Sequence, residues 1–176
     1  MAGHESDAEE QQRPPASTIS IRDLAEADQP WMQDFLLTYN HSLRVVSRGT
    51  LHDVLELPGL IATYRDIPSA LLTYTIVGQE WEVVTLHAAV QGHGLGSWLL
   101  AAARQRAQAL GCTRLWLITT NDNEPAIRFY RRQGMTLVAV HHNALAESRK
   151  LKPEIPLLGL GGKPLRDEIE FEFRLT

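Results

Sequence analysis

An apolar run at residues 81–89 breaks into Gln91-Gly92-His93-Gly94-Leu95-Gly96 and then, without a gap, into a helical pattern. That junction constrains the chain more than any other feature. Glycines between a strand and a helix let backbone N–H groups approach a ligand closely. The helix N-terminus adds a partial positive charge. Together they form an anion site suited to phosphate. The plainer alternative is a tight turn with no ligand, and the loop alone does not separate the two.

The elements around the loop set its context. Residues 94–110 read as a helix, with Leu95, Trp98, Leu99, Ala102 and Ala109 on one face and Arg104, Gln105 and Gln108 towards water. Gly111 suits its C-terminal turn. Residues 114–119 (RLWLIT) are nearly all apolar, as in a strand buried on both faces. A second helix spans 123–133, with Asn123 as cap, Pro125 in the first turn and Gly134 at its end. Strands at 135–141 and 167–175 flank a short helix at 144–150, and DEIEFEFRL alternates cleanly.

Upstream, residues 18–22 read as a strand, and Asp28 caps a helix carrying Trp31, Phe35, Leu36 and Tyr39. Residues 44–49 stay ambiguous, and a short helix is expected near 51–57. Strands at 60–64, 70–77 and 81–89 are punctuated by Pro68 and Gly78, which suggests antiparallel hairpins. The order implies a βαβα unit inside a mixed sheet, an α/β fold with a mostly antiparallel flank.

Three phosphate-binding loops compete. A P-loop needs a lysine that this loop lacks. A dinucleotide fingerprint needs G-x-G-x-x-G and an acidic residue ending the next strand. Here the spacing is G-x-G-x-G and that strand ends in Ile118-Thr119-Thr120. The third pattern, [RQ]-x-x-G-x-[GA], fits Gln91, Gly94 and Gly96, and is similar to the pyrophosphate loop of the GNAT acetyltransferase superfamily. By composition alone such a triple turns up in roughly one chain in five of this length. A second motif decides the comparison. Asn123, Ala126, Phe129, Tyr130, Gly134 and Met135 stand in the register N-x-x-A-x-x-F-Y-x-x-x-G-[FM], which resembles the superfamily's second motif on the helix after the next strand. The resemblance runs from about Ile19 to Leu175.

The resemblance implies the GNAT fold: a mixed central sheet of about six to seven strands flanked by helices, in one domain over 18–176. It also implies acetyl-CoA as cosubstrate, no metal, and transfer of an acetyl group to a primary amine by direct attack in a ternary complex. Cofactor contacts then fall on Leu86, His87 and Ala88 of the strand, on Gln91, Gly92, His93, Gly94, Leu95, Gly96 and Ser97 of the loop, and on Asn123, Ala126 and Phe129. A backbone N–H near Leu86–Ala88 would stabilise the developing oxyanion. Tyr130 resembles the general acid; its phenol is protonated at neutral pH. Adjacent aromatics on a helix point apart, which makes Phe129 the core residue and Tyr130 the functional one. Asn123 serves equally as an ordinary cap.

Glu82 resembles the family's general base, and burial would raise its pKa into a useful range. The competing reading is an edge carboxylate like Glu80. His87 is a further candidate base with a suitable ordinary pKa. A non-catalytic acyl-CoA-binding module and an acyltransferase for longer acyl-CoA remain alternatives.

Formal charge is −4, from Lys+Arg 17 against Asp+Glu 21. That balance argues against a nucleic-acid partner. Cys112 is the single cysteine and forms no internal disulfide. No apolar run approaches the ~20 residues of a membrane span, and residues 1–17 read as an acidic, disordered tail rather than a secretory signal. The expected location is cytoplasmic. Two segments, Arg44-Val45-Val46-Ser47-Arg48-Gly49 and LKPEIPLLGLGGKPLRDE at 151–168, resemble one branch of the superfamily without implying an acceptor, which is expected to be a small-molecule or peptide amine. Arg44 and Arg48 could clamp an acidic group on it or simply be solvated. Ile155, Leu157, Leu158 and Leu160 in the long loop need cover, which suggests a homodimer.

Overall fold

The computed structural model describes residues 18–175; the expected tail at 1–17 lies outside them. Seven strands form one sheet in the order β1 (Ile19–Asp23), β4 (Gly59–Tyr64), β5 (Ile67–Val77), β6 (Glu80–Ala88), β7 (Arg114–Thr120), β9 (Glu168–Arg174), β8 (Thr136–His141). Two more strands, β2 (Arg44–Ser47) and β3 (Thr50–Asp53), form a separate hairpin. Within the sheet every pair is antiparallel except β6 with β7.

Strand alternation divides the core in two. Leu60, Ala62 and Leu72 pack under α2 (Leu95–Ala109), while Ile61 and Leu71 meet Met32, Phe35 and Leu36 of α1 (Gln29–Tyr39) on the other face. The next helix, α3 (Glu124–Arg132), joins the α2 side, where Tyr130 approaches Phe171 with ring centroids 5.8 Å apart. The last, α4 (Ala144–Leu151), packs on β2.

Several expectations need correction. The buried stripe of α2 is Leu95, Leu99, Leu100, Ala103 and Ala107, so Trp98 and Ala109 stand exposed. Strand β7 is not buried on both faces. Leu115, Leu117 and Thr119 are buried, but Arg114, Trp116 and Ile118 are only half covered. Their face holds charge rather than core, with Arg114 reaching Glu170 at 2.8 Å and Glu172 at 3.3 Å. Asp28 does not cap α1: its carboxylate receives the Ala25 N–H and the Arg22 guanidinium instead. The ambiguous 44–49 segment is strand, turning through Arg48 (φ +48°) and Gly49 (φ +78°), and the expected helix at 51–57 shrinks to one 3-10 turn at Val54–Glu56.

The loop after α4 is tied down. Arg149 donates to the carbonyls of Ile155, Pro156 and Leu165. Asn121 donates to Pro164 O and accepts from the Arg166 and Asp167 amides, and Asp122 accepts from the Leu160 amide. Ile155 is half-buried, whereas Leu157, Leu158 and Leu160 remain exposed.

One irregularity shapes the site. Thr73 faces Thr85 and Tyr74 faces Val83, so Val84 bulges out of the β5–β6 ladder. A bulge bends its strand and increases twist. Pairing of β6 with β7 stops at the same place, with Val83 opposite Leu117. Beyond it the two strands diverge, and among the described residues the β7-facing edge of β6 has no strand partner over 84–88.

Candidate active site

Two clefts open on the two sides of this divergence. The first, of about 520 Å³, lies between the end of β6, the N-terminus of α2 and α3. The second, of about 290 Å³, lies beneath the β2–β3 hairpin and is lined by Asn40, Ser47, Val84, Ile118 and Glu168. Leu86, His87, Ala126 and Tyr130 line both. A molecule in one cleft can therefore meet a molecule in the other at the end of β6.

The first cleft suits an anion at its rim. Gly92 (φ +83°) and Gly94 (φ +73°) adopt the left-handed region, which turns the chain into α2 without a side chain over the helix end. The first-turn N–H groups there have no intrahelical acceptor. No carboxylate lines this cleft among the described residues, and Arg132 supplies a cation. Gly96 has a packing reason as well: a Cβ there would stand 3.3 Å from Phe129 Cζ. The Gln91 amide donates to Ala88 O at 3.0 Å and Gln133 donates to Ser97 Oγ at 2.9 Å, which braces the loop from both ends.

The sequence profile of the Acetyltransferase (GNAT) family matches residues 21–135. The chain belongs to the GNAT acetyltransferase family. It is 43% identical over 100 residues to the uncharacterized protein YdhI of Bacillus subtilis (strain 168), a match spanning 57% of this chain and 62% of that protein. It is 37% identical over 126 residues to YxbD of the same strain, across 71% of this chain and 79% of the relative. The fold resembles that of a GNAT family acetyltransferase from Elizabethkingia anophelis with acetyl-CoA bound. The TM-score is 0.73 at 16% identity, over 90% of this chain and 99% of the other.

Within this GNAT framework most of the expected cofactor residues line the first cleft: Leu86, His87, Ala88, Gln91, Gly92, Gly94, Leu95, Gly96, Ser97, Ala126 and Phe129. Two do not. His93 stacks on Tyr64, centroids 4.7 Å apart, and Asn123 accepts the Ala126 N–H as a helix cap while its residue lines the second cleft. Phe129 is not a fully buried core residue; it is half-buried, edge-on to Tyr130 at 5.3 Å.

Tyr130 sits where the clefts join, and burial pushes its phenol up to about 12. Glu82 is buried on the hairpin side and lines neither cleft. Burial raises its carboxyl to about 7, helped by Glu168 and Glu170 and opposed by Ser47 and Arg114. His52 Nε2 stands 4.0 Å from its Oε2, and burial pushes that imidazole down. Ser47 Oγ, His52 Nε2 and Glu82 Oε1 are all buried without an ordinary hydrogen-bond partner. His87 is pushed down to about 4, mainly by burial and further by His41, and its Nε2 lies 3.0 Å from Asn40 Oδ1. Burial thus makes His87 a weaker base than Glu82.

Sequence reasoning missed Arg132, Asn40, Ser47 and Glu168. The signal for Glu168 was present in DEIEFEFRL, because acidic residues along one face of an interior strand are unusual. Glu168 is buried and accepts the Arg48 amide at 3.1 Å. Arg48 thus turns towards this carboxylate and Glu170, while Arg44 pairs with Glu154. The two arginines do not converge into one clamp.

Proposed function

We propose that the protein transfers an acetyl group from acetyl-CoA to a primary amine by direct attack in a ternary complex. The carrying observation is the pair of clefts meeting at Tyr130 and the unpaired end of β6. The donor's pyrophosphate fits the glycine turn and the N-terminus of α2, with Arg132 beside it. Bound there, the donor supplies a thioester whose carbonyl carbon accepts the amine. The acceptor enters from the hairpin side, where Glu168 favours a cationic or polar amine.

Two proton transfers then fall to this chain. The amine must lose a proton as the C–N bond forms, and Glu82 is the base with suitable strength. Ser47 lines the acceptor cleft and borders Glu82, so the Ser47 hydroxyl takes the amine's proton as it passes its own to the Glu82 carboxylate. The departing sulfur gains a proton from Tyr130, whose high pKa keeps the phenol protonated throughout the working range. The products are an amide and a free thiol. Backbone N–H groups of β6 near Leu86 stabilise negative charge on the carbonyl oxygen.

Calorimetry with acetyl-CoA tests this first. Micromolar binding that Gly94→Arg abolishes, followed by thiol release with an amine panel, supports the reading; no binding ends it. The exposed leucines on the pinned loop agree with a homodimer, and light scattering at a monomeric mass would remove that part. Among the described residues no helix is long and apolar enough to cross a membrane.

A further inference from the structure

The acceptor cleft does not end beneath the hairpin. A third cleft of about 610 Å³ runs on from it towards the loop after α4, and the two share Asn40, Val45, Val46, Thr120 and Leu145. One groove therefore leads from Tyr130 outward. Its charges are segregated. Glu168 lies at the inner end, whereas the outer end carries Arg44, Lys152 and a single carboxylate, Glu154. Between them the walls are mostly apolar.

The charges at the outer end do not cancel. Arg44 is bound directly to Glu154. Lys152 reaches no carboxylate within ion-pair distance among the described residues, and its Nζ donates to Arg44 O at 2.9 Å. The side chain is half-buried, and burial pushes its pKa down against the pull of Glu154. One of its three donors goes to this neutral carbonyl, which leaves the ammonium able to take up an added anion. The wall that holds it is preformed, since Arg149 fixes the carbonyls of Ile155, Pro156 and Leu165 behind it.

We propose that the natural acceptor carries an anionic group, a carboxylate or a phosphate, separated from its reacting amine by an apolar spacer, and that Lys152 is the residue that selects it. The proposal rests on the acetyl-transfer reading above for the position of the amine. Glu168 at one end and Lys152 at the other then read the two ends of one molecule. Lys152 touches only the distal group and takes no part in the proton transfers.

The test compares matched acceptors on the full-length protein at saturating acetyl-CoA: an ω-amino carboxylate series of increasing length, the corresponding ω-amino phosphonates, alkylamines and diamines. The anionic acceptors should exceed the alkylamine of equal length by about tenfold in kcat/KM, the scale of one charge-assisted hydrogen bond. The carboxylate and phosphonate arms identify which anion is preferred. In Lys152→Gln that ratio should collapse towards one through KM rather than kcat, in Lys152→Glu it should favour the diamine, and Lys152→Arg should restore it. A merely structural lysine would lower thermal stability and slow every acceptor alike. Equal rates across the panel, or a preference that survives Lys152→Gln, would overturn the proposal.

A binding arm separates this failure from failure of the acetyl-transfer reading. Calorimetry of amine-free alkanoates and alkylphosphonates against the protein, with and without CoA, reads the outer end directly. Anion binding lost in Lys152→Gln sustains the inference even if no amine is acetylated. Turnover of alkylamines without any anion binding sinks the inference and leaves the reaction standing.

Discussion

In the proposed mechanism Tyr130 and Glu82 take opposite tasks from one cause, burial. For the phenol, burial lifts the pKa to about 12 and keeps the proton on. For the carboxyl, it lifts the value to about 7 and makes a usable base. Tyr130→Phe should therefore lower kcat by about 10²–10⁴ with little change in acetyl-CoA affinity. Stopped-flow thiol release beside calorimetry separates the two quantities, and an unimpaired kcat would remove Tyr130 from the chemistry. For Glu82 the sign follows from the proposed base role. The base works only when deprotonated, so kcat should fall as pH drops through about 7. The same shift bears on stability. A carboxyl with a raised folded-state pKa favours the fold fully below its unfolded value, near 4.5, and loses that contribution as pH rises to about 7. Glu82→Gln should then remove the low-pH break in rate while raising the melting temperature at pH 8 relative to pH 5. Its effect on stability would be roughly 1–3 kcal/mol. A wild-type rate profile flat from pH 6 to 8 would exclude Glu82 as the base. The residue types of both groups were legible from the sequence. That Glu82 stands behind Ser47, and beside His52, was not, because it depends on the hairpin folding over β6.

At the scale of elements, the sequence marked the helices and strands of 81–141 well, since their periods and glycine punctuation are local properties. The loop after α4 was harder to read. Its leucines suggested a contact with a second subunit, but the ties that shape it come from Arg149 of α4 and from Asn121 and Asp122 of the turn after β7. Gly159 shows how tight the fit is. Its φ of −103° is open to any residue, so the requirement is space rather than backbone freedom. A Cβ there would lie 2.1 Å from Asp122 Oδ2 and 2.5 Å from its Cγ. Gly159→Ala should displace Asp122 from the Leu160 amide and destabilise the protein by about 1–3 kcal/mol. Chemical denaturation measures this, and an unchanged midpoint would show that the loop packs more loosely than the contacts imply. The hairpin was ambiguous for a related reason. Residues 44–49 are short, charged and half-exposed, and neither a strand nor a helical period dominates until β3 pairs with β2.

The molecule as a whole is organised around a sheet that comes apart in the middle. The bulge at Val84 and the loss of pairing after Val83 divide the sheet into a β1–β4–β5–β6 half and a β7–β9–β8 half, joined by few β6–β7 rungs. The βαβα order required a parallel pair, and the family resemblance pointed to free backbone groups near Leu86–Ala88, but nothing in the sequence marked the bulge at Val84. A ligand that lies along the free edge of β6 and contacts both the α2 N-terminus and α3 bridges the two halves. Its binding should stabilise the fold by mass action, about 2.7 kcal/mol at a hundredfold excess over Kd. The gain should also be uneven. Amide exchange should slow at β6 residues 84–88, at the first turn of α2 and in α3, because these line the donor cleft or its free edge. The β1–β4 edge, remote from that cleft, should be protected only to the extent that global unfolding is suppressed. Hydrogen exchange with and without acetyl-CoA measures this, using desulfo-CoA to separate the thioester's share. Protection confined to the glycine turn would mean that the donor docks by its phosphates alone. Slowing of both halves together with the β6 edge would show that the bound arm occupies the divergence, where the amine from the second cleft must reach it.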